Sequence, residues 1–283
     1  MNKSSIYLKV NNKITQLSNK NYPNPQPPFW DWCLIKEDLI SVNIELQGYW
    51  ENHLALIYQQ LIKEGDIVID AGANIGGHTL NFAYSVGDKG KVIAFEPQPF
   101  IFNILTTNIL INNLTSRVTQ HKLALSDKTK TQQFNSIEFR EPYSEEKGHG
   151  WHLDRNPISV NYGGREIGDT FDGEEVMTTT IDNLKLKKLN FIKVDIQGAE
   201  LNALKGGIKT IKKHRPIIFI ENYAHKNLPN LTKEIQVVKL LKSWGYIGYR
   251  LLQGNEDDCI FVYKDNIKNI KKIIQNCSEF KEI

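Results

Sequence analysis

The sequence predicts an α/β fold built on a mostly parallel sheet with helices packed around it. Two observations carry this prediction. Short apolar runs alternate along residues 50–263 with segments whose apolar residues recur at the helical period. The run that ends at Asp70 is apolar without alternation, which is typical of a parallel strand that is buried on both faces. Acidic residues end several of these runs, at the edge where parallel sheets bind ligands.

Length and composition limit the possible classes of protein. The 283 residues suit one large α/β domain with an extension, or at most two domains. A formal net charge of only +3 gives no broad basic surface for nucleic acid. Cys33, Cys259 and Cys277 are far apart, so they predict neither a disulfide framework nor a zinc site, and a cytoplasmic location is expected. No apolar run is long enough for a membrane span, and the N-terminus lacks the apolar core of a signal peptide.

Residues 1–49 are predicted to form an N-terminal arm or cover. The proline-rich stretch that ends at Trp30 interrupts regular structure, and we interpret Trp30 and Trp32 as packing residues rather than parts of a substrate lid. The first helix is expected from Trp50 to Leu61, because its apolar residues share one face. Gly65 is expected to stop this helix.

The stretch from residue 66 to residue 80 organises the rest of the chain. A buried strand ends at Asp70, a turn of small residues follows, and an apolar helix begins near Leu80. Gly72 and Gly76 have no Cβ atom, so a ligand could approach the backbone N–H groups at the start of the helix. The next strand ends in a second acid, Glu96.

The spacing of this turn indicates which ligand it binds. A dinucleotide site has Gly-x-Gly-x-x-Gly, and Asn74 breaks that pattern. The sequence Asp-x-Gly-x-x-x-Gly instead resembles the S-adenosylmethionine (SAM) loop of class I methyltransferases. This resemblance implies that Glu96 holds the ribose hydroxyls, which a carboxylate can accept. It also places Ser126 near the adenine, although a plain Ser-Asp turn explains Ser126 equally well. The implied cofactor residues are Asp70, Gly72, Asn74, Gly76, Glu96 and Ser126.

The remaining elements alternate between strand and helix. Helices are expected around Phe102, Leu201 and Val238. Strands are expected at 118–125, 132–139, 175–181, 189–195 and 216–221, followed by a closing pair at 246–251 and 259–263. Residues 140–175 form a long polar loop, read either as a substrate-binding insertion or as plain surface. Residues 264–283 are a lysine-rich terminal helix or tail.

Four motifs in order resemble those of the FkbM-type methyltransferases, over about residues 50–251. They are Asp70-Ala-Gly-Ala-Asn-Ile-Gly-Gly-His-Thr, Ala94-Phe-Glu-Pro-Gln-Pro, Phe191-Ile-Lys-Val-Asp-Ile-Gln-Gly-Ala-Glu and Arg215-Pro-Ile-Ile-Phe-Ile-Glu-Asn. The resemblance implies a Rossmann-like class I methyltransferase fold, with a mostly parallel seven-stranded sheet, an antiparallel last strand and helices on both faces. Gln197 departs from the family, which usually has glutamate there.

Three residues are candidates for substrate positioning or for the base. Asp195 is the first candidate because it follows the fourth strand, although it could instead cap the next helix. Glu221, at the end of the neighbouring strand, is the second, and His152 in the long loop is the third. Lys193 is expected to be a structural or surface contact. His78 and His121 are expected to be packing residues.

The resemblance implies SAM-dependent O-methylation of a sugar or a glycosylated or secondary metabolite. A peptide or protein methyltransferase, another small-molecule methyltransferase, or a non-catalytic SAM-binding scaffold remains an alternative. A nucleic-acid enzyme is disfavoured, because Asp195-Ile-Gln-Gly stands where amino-methylating enzymes have Asn/Asp-Pro-Pro-Tyr. The family does not imply a metal. Asp195 with Glu221-Asn222 nevertheless resembles the oxygen ligands of magnesium-dependent methyltransferases, so a magnesium ion is the less favoured option.

Overall fold

The fold is known from a computed structural model that describes residues 6–9, 30–36, 38–133, 175–221, 231–251, 258–277 and 280–283. His152 and nearly all of the predicted loop at 140–175 lie outside these residues. The strands are β1 Ile6–Lys9, β2 Trp32–Ile35, β3 Ile67–Ala71, β4 Lys91–Phe95, β5 Val118–His121, β6 Ala124–Leu125, β7 Thr131–Gln133, β8 Glu175–Thr179, β9 Phe191–Val194, β10 Ile217–Glu221, β11 Tyr246–Leu251, β12 Asp258–Tyr263 and β13 Phe280–Glu282. The helices are α1 Leu39–Gln47, α2 Asn52–Leu61, α3 Thr79–Val86, α4 Pro99–Ile111, α5 Glu200–Lys205, α6 Ile208–His214, α7 Leu231–Ser243 and α8 Ile267–Cys277.

The main sheet has the strand order β13-β11-β12-β10-β9-β3-β4-β5. Strands β10, β9, β3, β4 and β5 are parallel, and β12 runs antiparallel to both β10 and β11. This arrangement confirms the predicted class I methyltransferase fold. The first strand of the parallel set, β3, lies between β9 and β4, so the chain order reverses beside it. The carboxyl ends of these three strands therefore line the crevice in which such sheets bind ligands.

The tail adds an element that the sequence pattern did not indicate. The predicted terminal helix is present as α8, but the chain then returns to the sheet, and β13 pairs with β11 as an eighth strand. The spacing of apolar residues in α8 explains its position. Ile267, Ile270 and Ile273 recur every three residues and pack against the core, whereas Lys268 and Lys271 are exposed. The helix is amphipathic and lies against the domain.

The predicted strand at 118–125 is divided between two sheets. Its first half, β5, is the edge of the main sheet next to β4. Its second half, β6, instead pairs with β8, which also pairs with β7. The chain bends at Lys122 and Leu123 between the halves, so Ser126 belongs to the smaller sheet.

Helices cover both faces of the main sheet, as predicted. Neighbouring residues of β3 bury their side chains in opposite clusters: Val68 packs with α2, α3 and α4, and Ile69 packs with α5, α6 and α7. The first cluster is centred on Tyr58, whose ring meets Phe82, Phe191 and Phe219 edge to face at 5.0–5.7 Å between centroids. Such contacts between aromatic rings fix the position of α2 on the sheet.

The segment before α2 covers this first cluster. Trp30 and Trp32 are buried in it, which confirms their interpretation as packing residues. Asn108 of α4 holds β2, because its side chain accepts the Cys33 N–H at 2.6 Å and donates to the Cys33 carbonyl at 3.2 Å. The predicted boundary at residue 49 stays a prediction.

One difference and two further observations concern single elements. Helix α2 begins at Asn52 and ends at Leu61, before the predicted stop at Gly65, because Ile62 turns to an extended conformation and buries its side chain. Cys33 and Cys259 are buried. In the part of the chain that the structure describes, no helix is long and apolar enough to cross a membrane. Location in the cytoplasm stays a prediction.

Candidate active site

The two glycines of the turn after β3 are required by packing within the protein. Gly72 has φ +79°, and a Cβ atom there would lie 1.8 Å from the carbonyl oxygen of Asp195. Gly76 has φ +103°, and its Cβ atom would meet Leu80 and Leu105 at 2.9 and 3.2 Å. The sequence analysis expected this space to admit a ligand. The side on which a Cβ atom would lie is filled by the neighbouring strand end and by apolar side chains, so packing explains both glycines, and the approach of a ligand to this backbone stays a prediction.

The backbone N–H groups of the turn are also used internally. Gly72 and Ala73 donate to the carbonyl of Phe95 at 3.0 and 2.9 Å, which ties the turn to the end of β4. Asn74 has φ +49°, a left-handed conformation that asparagine tolerates better than most residues. Its side-chain oxygen accepts the N–H of Ile75 at 2.7 Å. The turn is thereby held in a fixed shape against β4.

Glu96 lies directly after β4 and is 3% exposed. Its Oε2 accepts the N–H of Asn74 at 3.0 Å, and its Oε1 accepts the N–H of Gln98 at 2.9 Å. Burial raises the pKa of Glu96 to about 7, although the hydrogen bonds from Gln98 and Asn74 act in the opposite direction. A carboxylate has about four acceptor positions, so these bonds leave room for a ligand hydroxyl. Glu96 therefore fits the predicted ribose contact of SAM.

Asp70 is completely buried below the turn. Its Oδ2 accepts a hydrogen bond from the Thr79 hydroxyl at 2.6 Å, which fixes the start of α3. Its Oδ1 has no hydrogen-bond partner among the described residues, and the Lys193 ammonium lies 3.8 Å away. In this structure Asp70 orders the turn, and its predicted contact with a cofactor stays a prediction.

Asp195 and Glu221 come together at the ends of β9 and β10. Asp195 accepts hydrogen bonds from Lys193 Nζ at 2.9 Å and from Gln197 Nε2 at 3.0 Å. Gln197 Nε2 also lies 3.4 Å from Glu221 Oε2, and Glu221 is hydrogen-bonded to Asp195. The sequence analysis therefore selected two carboxylates that form one pair, with Gln197 between them.

The alternative role of Asp195 as a helix cap is wrong. Helix α5 begins at Glu200, and its cap position is Ala199. The N–H groups of Ile196 and Gly198 before the helix are accepted by Glu200 Oε1, at 3.2 and 3.0 Å. The side chain of Asp195 instead accepts hydrogen bonds from Lys193 and Gln197, and 27% of it is exposed.

The two members of the carboxylate pair have opposite pKa shifts. Burial alone would raise the pKa of Asp195, but the Lys193 charge and the hydrogen bonds from Glu221, Lys193 and Gln197 lower it to about 2. Burial, together with the neighbouring charge of Asp195, raises the pKa of Glu221 well above its ordinary value. The surroundings therefore favour the ionised form of Asp195 and the protonated form of Glu221.

Of the two roles that the sequence left open for Lys193, a structural or a surface contact, the structure excludes the surface contact. Its side chain is 3% exposed and lies between Asp195 and Asp70. Burial alone would lower the pKa of Lys193, but Asp195 and Asp70 raise it above its ordinary value, so the ammonium stays charged. The available signal was a single lysine inside the buried run Phe-Ile-Lys-Val, because a buried ammonium needs a charged partner. Thr79 was also missed, although it follows the turn directly.

The other predicted residues are placed apart from this pair or cannot be placed. Ser126 is buried in the smaller sheet, where its hydroxyl lies 3.4 Å from Asp127 and its carbonyl packs against Gly206. His78 lies 3.0 Å from Glu51 and packs on Tyr58 and Phe82.

His121 stacks on Phe95 at 5.0 Å between ring centroids. The contacts of His78 and His121 are those of packing residues, as predicted. Among the described residues, no group of His, Cys, Asp or Glu side chains is arranged to hold a metal, and Asn222 lies outside them.

Comparison with known proteins agrees with the motifs. A hexuronic acid methyltransferase, AglP of Haloferax volcanii, is 30% identical over 178 residues, which are 63% of this chain and 64% of that protein. Methyltransferase sdnD of Sordaria araneosa is 27% identical over 164 residues, 51% of this chain and 61% of that protein. The chain thus spans less than two thirds of the length of either relative. A solved methyltransferase FkbM from Methylobacillus flagellatus is 21% identical with a TM-score of 0.49, and the match covers 73% of this chain and 48% of that one.

The family described as the Methyltransferase FkbM domain matches residues 70–247, from the end of β3 into β11. This segment contains the turn, Glu96, Lys193 and the carboxylate pair. The chain belongs to the FkbM methyltransferase domain family.

Proposed function

We propose that this protein is a SAM-dependent O-methyltransferase that acts on a hydroxyl of a sugar or of a glycosylated or secondary metabolite. One observation carries the proposal. In a chain of the FkbM family, the paired carboxylates Asp195 and Glu221 lie on one side of β3, and the hydrogen-bonded Glu96 lies on the other. The first group can orient a hydroxyl and take its proton. The second group can hold a ribose.

The proposed cofactor side comprises Glu96 and the turn that it fixes. We assign the ribose hydroxyls to Glu96, and we keep Asp70, Gly72, Asn74, Gly76 and Ser126 as the other proposed cofactor residues. SAM supplies a methyl group bound to a positively charged sulfur, which keeps the electron pair when that bond breaks. The protein must then align the acceptor oxygen and remove its proton.

The carboxylate pair supplies the proposed proton acceptor. A general base works best when its pKa lies near the working pH. Asp195, with a pKa of about 2, binds a proton weakly, whereas burial and the charge of Asp195 raise the pKa of Glu221 and so make its carboxylate the stronger base. We therefore assign the base to Glu221, in its ionised form, and the orientation of the acceptor hydroxyl to Asp195. As the acceptor oxygen gains the methyl group, its proton passes to the carboxylate of Glu221.

The acceptor class rests on the relatives and on the chemistry of the pair. One relative is named a hexuronic acid methyltransferase. Adjacent carboxylates with an amide between them present acceptors and a donor, which suit a molecule rich in hydroxyl groups. His152 in the long loop stays a proposed acceptor contact. We propose no metal for the reaction.

The experiment measures binding and transfer separately. Calorimetry with S-adenosylhomocysteine tests the cofactor side, and the absence of binding at millimolar ligand would favour a non-catalytic scaffold. Methyl-labelled SAM is then incubated with hexuronic acids, other sugars, glycosylated metabolites and peptides, and products are detected by mass spectrometry. Label on a peptide rather than on a sugar hydroxyl would overturn the acceptor assignment, and equal activity with EDTA present would exclude magnesium.

Asp195→Asn is the diagnostic variant for this proposal. It should leave the affinity for SAM nearly unchanged and lower turnover by about 10²-fold, the cost of a misplaced reacting group, because Asp195 orients the acceptor hydroxyl. Asp88→Asn is the control, because the Asp88 side chain is 84% exposed and pairs only with Arg117 among the described residues. Wild-type turnover in Asp195→Asn would remove Asp195 from the site.

A further inference from the structure

Lys193 connects the two halves of the proposed site. It lies in β9, directly opposite Asp70 of β3 in the parallel register. Its ammonium is 2.9 Å from Asp195 Oδ2, 3.8 Å from Asp70 Oδ1 and 3.4 Å from the carbonyl oxygen of Gly72. Asp70 and Gly72 belong to the turn on the proposed cofactor side. Asp195 belongs to the carboxylate pair on the proposed acceptor side.

The contacts continue in both directions from this lysine. Asp70 accepts the hydroxyl of Thr79 and so holds the first turn of α3. Asp195 accepts the amide of Gln197, which also lies 3.4 Å from Glu221. A chain of polar contacts therefore crosses β3, β9 and β10 just below the edge where ligands bind, and Lys193 is the cation at its centre.

A purely structural role does not explain this arrangement. Apolar side chains could fill the space of Lys193 and its carboxylate partners together, and whole buried ion pairs are often replaceable in this way without loss of stability. Two features distinguish this site. The lysine reaches a carboxylate that is partly exposed, and it also touches the backbone of the turn. It therefore restrains two surfaces on which the proposed ligands would lie.

We propose that Lys193 is a positioning residue that fixes Asp195 relative to the turn at Asp70 and Gly72, so that the cofactor side and the acceptor side are held in one geometry. This inference rests on the proposed function. Its consequence is that removal of the ammonium should disturb both sides, although Lys193 itself is buried and touches neither ligand.

The test compares Lys193→Met with Asp195→Asn. Lys193→Met should weaken S-adenosylhomocysteine binding about tenfold in calorimetry. With an acceptor found by the methyl-label assay, it should both raise KM for SAM and lower kcat. Asp195→Asn should lower kcat alone, because Lys193 still holds Asp70 and Gly72. Lys188→Met is the matched control, since Lys188 is about half exposed and pairs with Asp66.

A second variant keeps the proposal testable if Lys193→Met does not fold. The double variant Lys193→Met/Asp195→Asn has one negative charge fewer than Lys193→Met, because Asp195 no longer carries one. It should bind S-adenosylhomocysteine about tenfold more weakly than Asp195→Asn. If folded Lys193→Met or the double variant binds within twofold of its reference, Lys193 is only structural and the inference is wrong. If the wild type itself does not bind, the proposed function fails instead, so the two failures are distinguishable.

Discussion

Glu96 and Asp195 are carboxylates on opposite sides of β3, each directly after a buried parallel strand, and their pKa values are shifted in opposite directions. Burial raises the pKa of both. At Glu96, hydrogen bonds from Gln98 and Asn74 offset only part of the effect of burial, and the pKa remains raised, at about 7. Asp195 has the Lys193 ammonium at 2.9 Å, and its pKa falls to about 2. A full charge outweighs desolvation here, whereas the dipoles around Glu96 do not.

The difference assigns different behaviour to the two sides of the site. Glu96 gains and loses its proton near neutral pH, so a ligand that donates hydrogen bonds to its carboxylate favours the ionised form. Asp195 stays charged at all ordinary pH values and orders the groups around it. Four changes test this comparison, and we describe them from the largest expected effect to the smallest.

The largest effect is expected from removal of the cation. Lys193→Met leaves Asp70 and Asp195 without their charged partner, and breaking a buried ion pair in this way costs about 3–5 kcal/mol of unfolding free energy. Urea denaturation at pH 7 measures the loss. Lys188→Met, which removes a half-exposed pair, should cost no more than about 1 kcal/mol. Equal losses in the two variants would contradict the special role of the buried lysine.

The second change tests the raised pKa of Glu96. Because the folded protein holds this proton up to about pH 7 and the unfolded chain releases it near pH 4.5, Glu96 makes the wild type lose stability as pH rises between those values. Over about 2.5 pH units, at 1.36 kcal/mol each, the loss is about 3 kcal/mol. Glu96→Gln cannot titrate, so its unfolding free energy should rise relative to the wild type by this amount from pH 4.5 to pH 8. A constant difference would show that Glu96 is ionised throughout.

The third change concerns the ligand. Glu96→Ala should weaken SAM binding by about 1.5–3 kcal/mol, the range for hydrogen bonds to a charged group. Calorimetry at pH 8 measures this loss, with Glu64→Ala as a control at an exposed glutamate. Wild-type affinity in Glu96→Ala would exclude the ribose assignment.

The smallest effect is expected at Gln197, the position that departs from the family. Gln197→Glu loses the hydrogen bond to Asp195 and adds a third carboxylate beside the pair, so the unfolding free energy should fall by about 1 kcal/mol. The loss should be greater at pH 8 than at pH 5, because only the ionised side chain repels Asp195. Gln60→Glu, on the exposed side of α2, is the control. A more stable Gln197→Glu protein would mean that the pair accommodates a third acid.

The sequence supported the fold well and the site in part. Mainly apolar runs identified β3, β4, β9 and β10, and acids at their ends identified Glu96, Asp195 and Glu221. The same patterns did not predict the division of the third strand or the presence of β13. The division of the third strand depends on a bend at Lys122, and β13 is three residues long, so neither leaves a periodic signal.

The sequence by itself determined the order of strands along the chain and the chemical type of the residue at each strand end, because both follow from the local hydrophobic pattern. What only the tertiary structure decided is which groups meet. Lys193 and Asp70 are far apart in the chain and become neighbours through the register of β3 and β9. The same register brings the Asp195 carbonyl against Gly72, so the glycine is required by the neighbouring strand end. Charge and space at this site are set by contacts between distant segments, which no local pattern encodes.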